Sequence, residues 1–518
     1  MEEGRFKILP KEVMHHIQSF ISSREAAQIC LLSKSWYTAW CTRPTLSFDE
    51  RDFRRTGGFA NLTRKTIQRY RDSNLKVPTF RLCMNKISGL STHLANELIL
   101  DALKLGVIDL KFEIVDSDSN LKFEYVSSYV LPFQVFAAAT SLRKLDVFGC
   151  TIAIDRILPV GHVASSRLTS LTLFNVSIGD DTITSILLGC PLIEDFNVLD
   201  CKGLKKINVS MMQYNLKKFR VERRLFCQST LSLSIEFEKP RLGSVSNGQN
   251  SVSEYRNLSS LTLKYVKIDN NFFHNFSHKF PCLEDLTIYR CSGYGEVEIL
   301  GPALKHISLT HMSKLDKAEF DVPSIQKFEL SVVNLPSMSF TTCSREWESS
   351  IKLSEHVVDV SWFNMLRKFL AELSQSRISL HVNIFMGNEF VYVQTSRGFP
   401  IPVVENLMLR VCPESTMCAA LLKNLFWSCH PRFITLSGYN NLEERNKKML
   451  GLLCKKYRKR NVENLHRLRY LEQVNVEFFD KTLMQWQSFP PRELCFVVSK
   501  LKKVGEKIRF RLRWCHFS

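Results

Sequence analysis

The feature that most constrains this chain is an internal repeat. The segment LTSLTLFNVSIGDDTITSILLGCPLIEDFNVLDC (residues 168–201) aligns without a gap on LSSLTLKYVKIDNNFFHNFSHKFPCLEDLTIYRC (residues 258–291), 90 positions later. Identical residues include the Leu-x-x-Leu-x-Leu start and the final cysteine, Cys201 and Cys291. Such similarity at a fixed spacing indicates that repeated structural units stack into one body.

Shorter copies of the same pattern, Leu-x-x-Leu-x-Leu-x-x-Cys/Val, recur along the chain. Their second apolar positions fall at 145, 171 and 196, which are 25 or 26 residues apart, and later at 286, 307 and 328, which are 21 apart. A period of about 20 to 29 residues is typical of leucine-rich repeats. The apolar positions of these and other copies include Leu142/Leu145/Val147, Ile193/Phe196/Val198, Leu204/Ile207/Val209, Leu216/Phe219/Val221, Leu304/Ile307/Leu309, Ile325/Phe328/Leu330 and Val404/Leu407/Leu409.

The spacing within each copy predicts a short strand. Apolar residues two positions apart point to the same side of a strand, so each copy buries one face. The next turn needs a small residue inside the stack, and Cys150, Cys201, Cys291 and Cys412 occupy this place. We therefore expect these four thiols to be packing residues.

Between strands the sequence predicts a return by helix. In DDTITSILLGCP (residues 180–191), Ile183, Ile186 and Leu187 share a face, and Gly189 with Pro191 ends the helix. The segment NNFFHNFSHKFP (residues 270–281) repeats this plan with four phenylalanines. Neither the strand nor the helix face of one unit is covered until the next unit stacks on it.

The C-terminal part is less regular. Residues 359–375 predict a helix and 377–385 a strand; 422–436 predict a further helix-strand unit, and 470–479 another strand. KIRFRLRW (residues 507–514) alternates strictly between apolar and basic residues, which predicts a half-exposed strand suited to capping the open end of the sheet.

Composition narrows the class of protein. The 518 residues carry a net charge of +19, which permits attraction to acidic partners without identifying one. Sixteen cysteines in a chain of this length do not suggest a disulfide scaffold. The start MEEGRFKILPKEV does not resemble a secretory signal, and we expect a soluble protein of the nucleus or cytoplasm, without a membrane span.

The N-terminal stretch ILPKEVMHHIQSFISSREAAQICLLSKSWYTAW (residues 8–40) predicts three short helices. Pro10 suits a first helical turn, Ser22 and Glu25 have capping-box spacing, and Ser33 or Ser35 can cap a third helix. A unit of about 40 residues is too small to bury its own apolar surface. Some of that surface must therefore contact another protein or the repeats.

These residues resemble an F-box. The resemblance lies in Leu9-Pro10, Glu12, Ile17, Phe20-Ile21, the LLSKSW segment from Leu31 to Trp36, and Trp40; the SSREAAQ segment before the second helix departs from many F-boxes. The whole chain resembles plant F-box/LRR-repeat proteins, and its tail from about Leu421 is similar to the FBD region that many of them carry. The expected fold is α/β: an N-terminal three-helix F-box, then a leucine-rich-repeat solenoid, or horseshoe, with a parallel sheet and an irregular C-terminal cap.

The resemblance implies a substrate-recognition subunit of an SCF-type ubiquitin ligase, with no catalytic residue and no cofactor of its own. The F-box would bind a Skp-family adaptor, and through it the cullin and RING subunits, while the repeats would bind the protein to be ubiquitinated. The expected adaptor contacts, of which about half would instead hold the helices together, are Leu9, Pro10, Val13, Ile17, Phe20, Ile21, Ile29, Leu32 and Trp36. Among these residues, Trp36 is expected to pack within the three-helix segment.

The expected organisation has four parts. Residues 1–48 form the F-box, 49–78 a linker, 79–412 the repeat solenoid, and 413–518 a basic C-terminal region that is FBD-like and completes or caps the solenoid.

Two other interpretations remain open. The chain could be a repeat scaffold for protein interactions with a degenerate F-box and no part in ubiquitin chemistry. The basic segment around KKYRKR could be the solvated face of a helix, a nuclear-localisation signal or a nucleic-acid site. The nuclear-localisation candidates are Lys455, Lys456, Arg458, Lys459 and Arg460. No metal-binding or nucleophile motif stands out, so we expect neither a metal site nor an enzyme.

Overall fold

The structure is a computed structural model. It describes residues 9–21, 23–53, 58–85, 89–115, 128–137, 140–153, 167–209, 215–223, 233–237, 255–268, 271–292, 295–312, 314–355, 359–384, 400–411, 415–436, 453, 471–480, 483–488 and 508–515. The chain divides into two compact units, Met1–Asp269 and Asn270–Ser518.

The first unit contains seven α-helices, a 3-10 helix at Glu50–Phe53 and thirteen strands in its described residues. The helices are α1 Lys11–Ser19, α2 Ser23–Ile29, α3 Lys34–Cys41, α4 Phe59–Asp72, α5 Gly89–Lys104, α6 Gln134–Ala137 and α7 Asp180–Gly189. The strands are β1 Thr45–Asp49, β2 Thr79–Asn85, β3 Asp109–Val115, β4 Lys144–Phe148, β5 Thr151–Ile152, β6 Ser170–Phe174, β7 Ser177–Ile178, β8 Asp195–Leu199, β9 Lys206–Val209, β10 Lys218–Glu222, β11 Ser234–Phe237, β12 Ser260–Lys264 and β13 Lys267–Ile268.

A parallel sheet runs through the first unit in the order β1-β2-β3-β4-β6-β8-β10-β12. Leu145, Leu171 and Phe196 lie in register on neighbouring strands and are buried, as the alternation predicts. Full burial of such a side chain contributes about 1.5–3 kcal/mol, so each added repeat stabilises its neighbours. The expected α/β class, with leucine-rich-repeat strands in a parallel sheet, is confirmed.

The second unit contains the remaining elements. Its helices are α8 Phe276–Lys279, α9 Val360–Glu372 and α10 Ser415–Ser428. Its strands are β14 Asp285–Tyr289, β15 Glu296–Leu300, β16 His306–Met312, β17 Lys317–Asp321, β18 Lys327–Val332, β19 Ser337–Thr341, β20 Glu348–Glu355, β21 Arg377–Ile384, β22 Val403–Val411, β23 His430–Leu436, β24 Leu471–Asp480, β25 Gln485–Ser488 and β26 Ile508–Trp514.

Seven parallel strands begin the sheet of the second unit, in the order β14-β16-β18-β20-β21-β22-β23. Strand β26 pairs antiparallel with β23, and β24 and β25 continue the sheet antiparallel beyond it. The strictly alternating segment is therefore a strand, with Ile508, Phe510 and Leu512 buried, and it extends the last parallel strand.

In many repeats, the segment that connects one main-sheet strand to the next contains a second strand, although the sequence predicts only helices there. These strands form small parallel sheets of their own: β5 with β7, β9 with β11 and β13, and β15 with β17 and β19. The segment Leu204/Ile207/Val209 belongs to β9 and lies in one of these sheets rather than in the main one. The two 21-residue steps coincide with strand returns through β15 and β17, which need fewer residues than a helix.

In several repeats, the residue directly after the main-sheet strand has a left-handed backbone conformation, with positive φ. Gly149, Asn175 and Asp200 have φ of 72°, 51° and 52°, and each directly precedes a buried Cys or Val. Their N–H groups donate to the last carbonyl of the next strand, at 3.1, 2.8 and 2.7 Å respectively. The turn therefore bends the chain into the core while keeping its backbone hydrogen-bonded.

The predicted helix at residues 270–281 is shorter than expected. Asn275 is left-handed, with φ 54°, so α8 contains only Phe276–Lys279. Phe272, Phe273, Phe276 and Phe280 are nevertheless all buried and pack against one another, with ring centroids 4.9–6.3 Å apart. The apolar pattern specifies burial here, although the backbone is not continuously helical. The expected domain boundaries at 48, 78 and 412 remain predictions.

Candidate functional site

The first helix of the N-terminal segment divides its residues between two faces. Pro10 precedes it, so α1 begins one residue later than expected. Met14 and Gln18 are buried, and His15 Nε2 lies 3.0 Å from the carbonyl oxygen of Ala39 in α3. Burial lowers the pKa of His15. This side of α1 is thus the inner face of the three-helix segment.

The third helix holds the segment together. Ser33 is its N-cap, and its Oγ accepts a hydrogen bond from the Trp36 N–H at 3.3 Å. Ala26 of α2 and Ala39 of α3 are fully buried, and small residues of this kind let helices approach closely. The expected three short helices and the cap at Ser33 are therefore present.

A neighbouring face of α1, about 100° round the helix from the buried residues, is apolar and open to solvent. Leu9, Val13 and Ile17 are spaced four residues apart, and Phe20 follows three residues later, so these side chains form one stripe. Their side chains are exposed, with Phe20 76% accessible. Exposed apolar side chains that are contiguous in this way are typical of a protein-interaction surface.

A second exposed apolar pair follows α2. The helix ends at Ile29, so Leu31 and Leu32 lie in the turn before α3, 84% and 72% exposed respectively. Leu31 was not among the expected contact residues, although the doubled leucine just before the Ser33 cap is a signal that could have indicated it. We name Leu9, Val13, Ile17, Phe20, Leu31 and Leu32 the N-terminal apolar face.

The expected contact residues fall into two groups. Leu9, Pro10, Val13, Ile17, Phe20 and Leu32 are exposed. Ile21, Ile29 and Trp36 are half-buried. The nuclear-localisation candidates Lys455, Lys456, Arg458, Lys459 and Arg460 lie outside the described residues.

The repeat cysteines are placed in the core. Cys150, Cys201 and Cys291 are buried, whereas Cys412 lies outside the described residues. Burial raises the pKa of Cys201 to about 12, so its thiol stays protonated at physiological pH. A protonated, inaccessible thiol is a poor nucleophile and metal ligand, which supports a packing role for these residues.

Within the described residues, no group of three or more His, Cys, Asp and Glu side chains could hold a metal ion. Among the helices that the structure describes, none combines the length and the apolar character needed to cross a membrane.

Comparison with known proteins bears on this arrangement. Residues 119–224 match the family model described as "FBD-associated F-box protein At5g56370, LRR repeats". The chain is similar to plant F-box/LRR-repeat proteins. Two relatives from Arabidopsis thaliana are the putative F-box/LRR-repeat protein At5g02930, 24% identical over 336 residues, and the F-box/LRR-repeat protein At5g02910, 28% identical over 218 residues.

The F-box/LRR resemblance extends over part of each chain. The match with At5g02930 covers 64% of this chain and 67% of the relative, and that with At5g02910 covers 42% of each. A third relative, the putative F-box/LRR-repeat protein At5g02700 of Arabidopsis thaliana, is 30% identical over 37% of each chain. This chain therefore spans less than half the length of two of the three relatives. The resemblance that the sequence indicates is confirmed.

Proposed function

We propose that this chain is the substrate-recognition subunit of an SCF-type ubiquitin ligase. In this role the N-terminal apolar face binds a Skp-family adaptor, and through it the cullin and RING subunits. The repeats bind the protein to be ubiquitinated. The observation that carries the proposal is the exposure of Leu9, Val13, Ile17 and Phe20 along one side of α1.

The energetics favour a partner on this face. Full burial of one large aliphatic or aromatic side chain contributes about 1.5–3 kcal/mol. Phe20, Leu31 and Leu32 are 72–84% exposed, so a partner that covers them removes most of their surface from water, and Leu9, Val13 and Ile17 contribute the smaller part of theirs that is exposed. Isolated surface leucines are common in soluble proteins, but six within the first 32 residues are not explained by folding alone.

The proposed mechanism is positional. Binding the adaptor at one end and a target protein on the repeats raises the effective concentration of a target lysine near the ligase's carrier enzyme. The chain needs no catalytic residue for this, and we propose a non-enzymatic role in the nucleus, the cytoplasm or both.

The decisive experiment is adaptor binding by purified full-length protein. The double substitution Leu9→Asp with Ile17→Asp should abolish co-purification with a Skp-family adaptor, because two carboxylates would be buried without partners. Leu62→Asp is the matched control, since Leu62 is 42% exposed on α4 and outside the apolar face. Adaptor binding that survives the double substitution would rule out this docking face.

A repeat scaffold without a ubiquitin role predicts a different result. Target proteins would then co-purify normally, but cullin would be absent from the complex even with the unmodified apolar face. Affinity purification with and without proteasome inhibition distinguishes the two roles, because targets of a ligase accumulate only when degradation is blocked.

A further inference from the structure

Two arginines lie against the same indole ring between α3 and α4 of the first unit. The guanidinium of Arg69 in α4 is 5.1 Å from the centroid of the Trp40 ring, and that of Arg43, just after α3, is 5.9 Å from it. Both side chains are half-buried. Lys65 precedes Arg69 by one helical turn, so the two side chains are neighbours on the surface of α4. We name Arg43, Lys65 and Arg69 the junction cations.

The junction cations have no carboxylate partner. None of them forms an ion pair with any side chain that the structure describes. The Tyr70 ring lies 5.5 Å from the Arg69 guanidinium, but burial raises the pKa of Tyr70 to about 12, so its phenol stays neutral at physiological pH. Burial lowers the pKa of Arg43, and the charge of Arg69 acts in the same direction. The two arginines therefore repel each other without a neutralising charge beside them.

The carboxylates on the neighbouring surface of α4 and α5 are engaged by other groups. Glu97 accepts from Arg64 at 2.8 Å, and Asp101 pairs with Arg71 at 2.8 Å. The carboxylate of Asp72 accepts a hydrogen bond at 2.6 Å from the side-chain amide one turn earlier. These three acidic side chains therefore do not supply the charge that the junction cations lack.

An open cavity beside α4 gives a ligand access to two of the junction cations. Its volume is about 550 Å³, and Lys65, Gln68, Arg69, Asp72 and Ser73 are among the residues that line it. The Nε–H of Arg69 is buried and has no hydrogen-bond acceptor in the part of the chain that the structure describes. A buried donor without an acceptor costs free energy, so an acceptor supplied by a ligand is favoured here. A cavity of this size accommodates a small molecule.

The number and type of the cations indicate the class of anion. A carboxylate carries one negative charge and two oxygens in one plane. A phosphate group carries a charge between about −1.5 and −2 at pH 7 and at least three acceptor oxygens in a tetrahedral arrangement. Guanidinium groups are well suited to phosphate, because their fixed N–H groups match its oxygens. Three cations from two elements, without a carboxylate among them, therefore favour phosphate.

We propose that the junction cations bind a phosphate group, carried either by inorganic phosphate or by a small phosphate ester. Its oxygens accept charge-assisted hydrogen bonds from Arg43, Lys65 and Arg69, including the buried Nε–H of Arg69. The bound anion removes the repulsion between the two arginines and holds α3 against α4. The site shares no residue with the N-terminal apolar face, so it does not depend on adaptor docking.

The test is isothermal titration calorimetry of the full-length protein with inorganic phosphate at constant ionic strength. The test variant is Lys65→Gln, because Lys65 is exposed and its replacement leaves both arginines on the Trp40 ring. The matched control is Lys218→Gln. Lys218 is exposed at the start of β10 and, like Lys65, forms no ion pair with a described side chain. Each variant loses one positive charge, and circular dichroism verifies that both are folded.

Inorganic phosphate should bind the unmodified protein saturably, with a dissociation constant below about 10 mM. Lys65→Gln should weaken this binding by about tenfold, as expected for the loss of one charge-assisted hydrogen bond. Lys218→Gln should change it by less than about twofold. Arg69→Met, which removes the buried donor, should reduce binding below detection. Substitutions in the N-terminal apolar face should leave phosphate binding unchanged.

Three results would overturn the proposal: no saturable phosphate binding, equal weakening in the two lysine variants, or acetate binding as tightly as phosphate. A titration with glucose 6-phosphate distinguishes the two sources of the phosphate group. Tighter binding than that of inorganic phosphate, lost in Lys65→Gln, would identify an ester as the ligand. Equal or weaker binding would identify free phosphate.

Discussion

The guanidinium of Arg69 lies over the indole ring of Trp40, 5.1 Å from the ring centroid, and joins α3 to α4. Arg43 approaches the same ring at 5.9 Å, and its carbonyl oxygen accepts a hydrogen bond from the Tyr70 hydroxyl at 2.9 Å. Tyr70 is fully buried in the first unit. The N-terminal helices are therefore anchored through their last turn, which leaves the apolar side of α1 uncovered.

Removing the ring should loosen this anchor. We expect Trp40→Ala to lower the free energy of unfolding by about 2–3 kcal/mol, because packing and cation–π contacts are lost together. Arg69→Met, which keeps an apolar stem, should cost about 1 kcal/mol. Urea unfolding followed by circular dichroism measures both. Ser35→Ala is the control, since Ser35 is exposed on the same helix; a Trp40 variant no less stable than this control would contradict the anchoring role.

The pair after α2 should contribute to adaptor binding. Leu31→Ala and Leu32→Ala should each weaken affinity for a Skp-family adaptor by about tenfold, since truncating a buried interface anchor commonly costs more than 1 kcal/mol. Neither should change the thermal midpoint, because both side chains are exposed in the free protein. Isothermal titration calorimetry provides the affinities. Leu188→Ala is the control, because Leu188 is exposed on α7 and outside the N-terminal apolar face, and it should bind as the unmodified protein does. Unaltered binding of both test variants would exclude this pair from the interface.

Gly149 should not tolerate a side chain. Its φ is 72°, and an added Cβ would lie 2.5 Å from the carbonyl oxygen of Ile114. Gly149→Ala should therefore destabilise the protein by about 2–4 kcal/mol, from the left-handed conformation and the steric clash together. Gly106→Ala is the matched control, because Gly106 has φ 75° but no atom within 4 Å of the added Cβ. Gly106→Ala should lower the free energy of unfolding by about 1 kcal/mol. An equal loss of stability in both variants would show that the structure relieves the clash at Gly149.

His430 should make stability depend on pH. Burial, with a smaller effect of Arg367, lowers the pKa of His430 to about 4. In the unfolded chain, His430 binds a proton near its ordinary pKa of 6.5, whereas in the folded protein it stays neutral down to about pH 4. The free energy of unfolding is therefore unaffected by His430 above pH 6.5 and decreases as the pH falls from 6.5 towards 4. The loss approaches at most about 1.4 kcal/mol per pH unit.

The matching variant is His430→Phe, which keeps a ring against Trp514, 4.2 Å away in the native stack. Urea unfolding between pH 7.5 and 4.5 should show a shallower decline for the variant than for the unmodified protein. Identical slopes would mean that His430 titrates normally in the fold.

The repeat spacing predicts the main sheet well because the alternation of apolar residues is set by burial alone. It does not predict which sheet a strand joins: the Leu204/Ile207/Val209 segment alternates as Leu216/Phe219/Val221 does, yet the first belongs to β9 and the second to β10. Strand direction is equally hidden, since the alternating residues of β26 fit either orientation, and only its neighbours make it antiparallel.

The candidate site was predictable as a region rather than residue by residue. The spacing of Leu9, Val13 and Ile17 identifies the exposed stripe, but Met14 on the same apolar segment is buried. The left-handed residues Tyr265 and Arg290 were not predictable from the sequence, because non-glycine residues of these types rarely adopt positive φ.

The position of β26 between β23 and β24 has a consequence for biosynthesis. The hairpin of β24 and β25 precedes β26 in the chain but, among the strands that the structure describes, pairs with the rest of the sheet only through β26. During synthesis, the hairpin can pair with the sheet only after residues 508–514 have emerged from the ribosomal exit tunnel. The first unit can complete its own sheet earlier. A nascent chain stalled before that point would expose the edge of β23, and such an edge is what holding chaperones bind and quality-control proteases degrade.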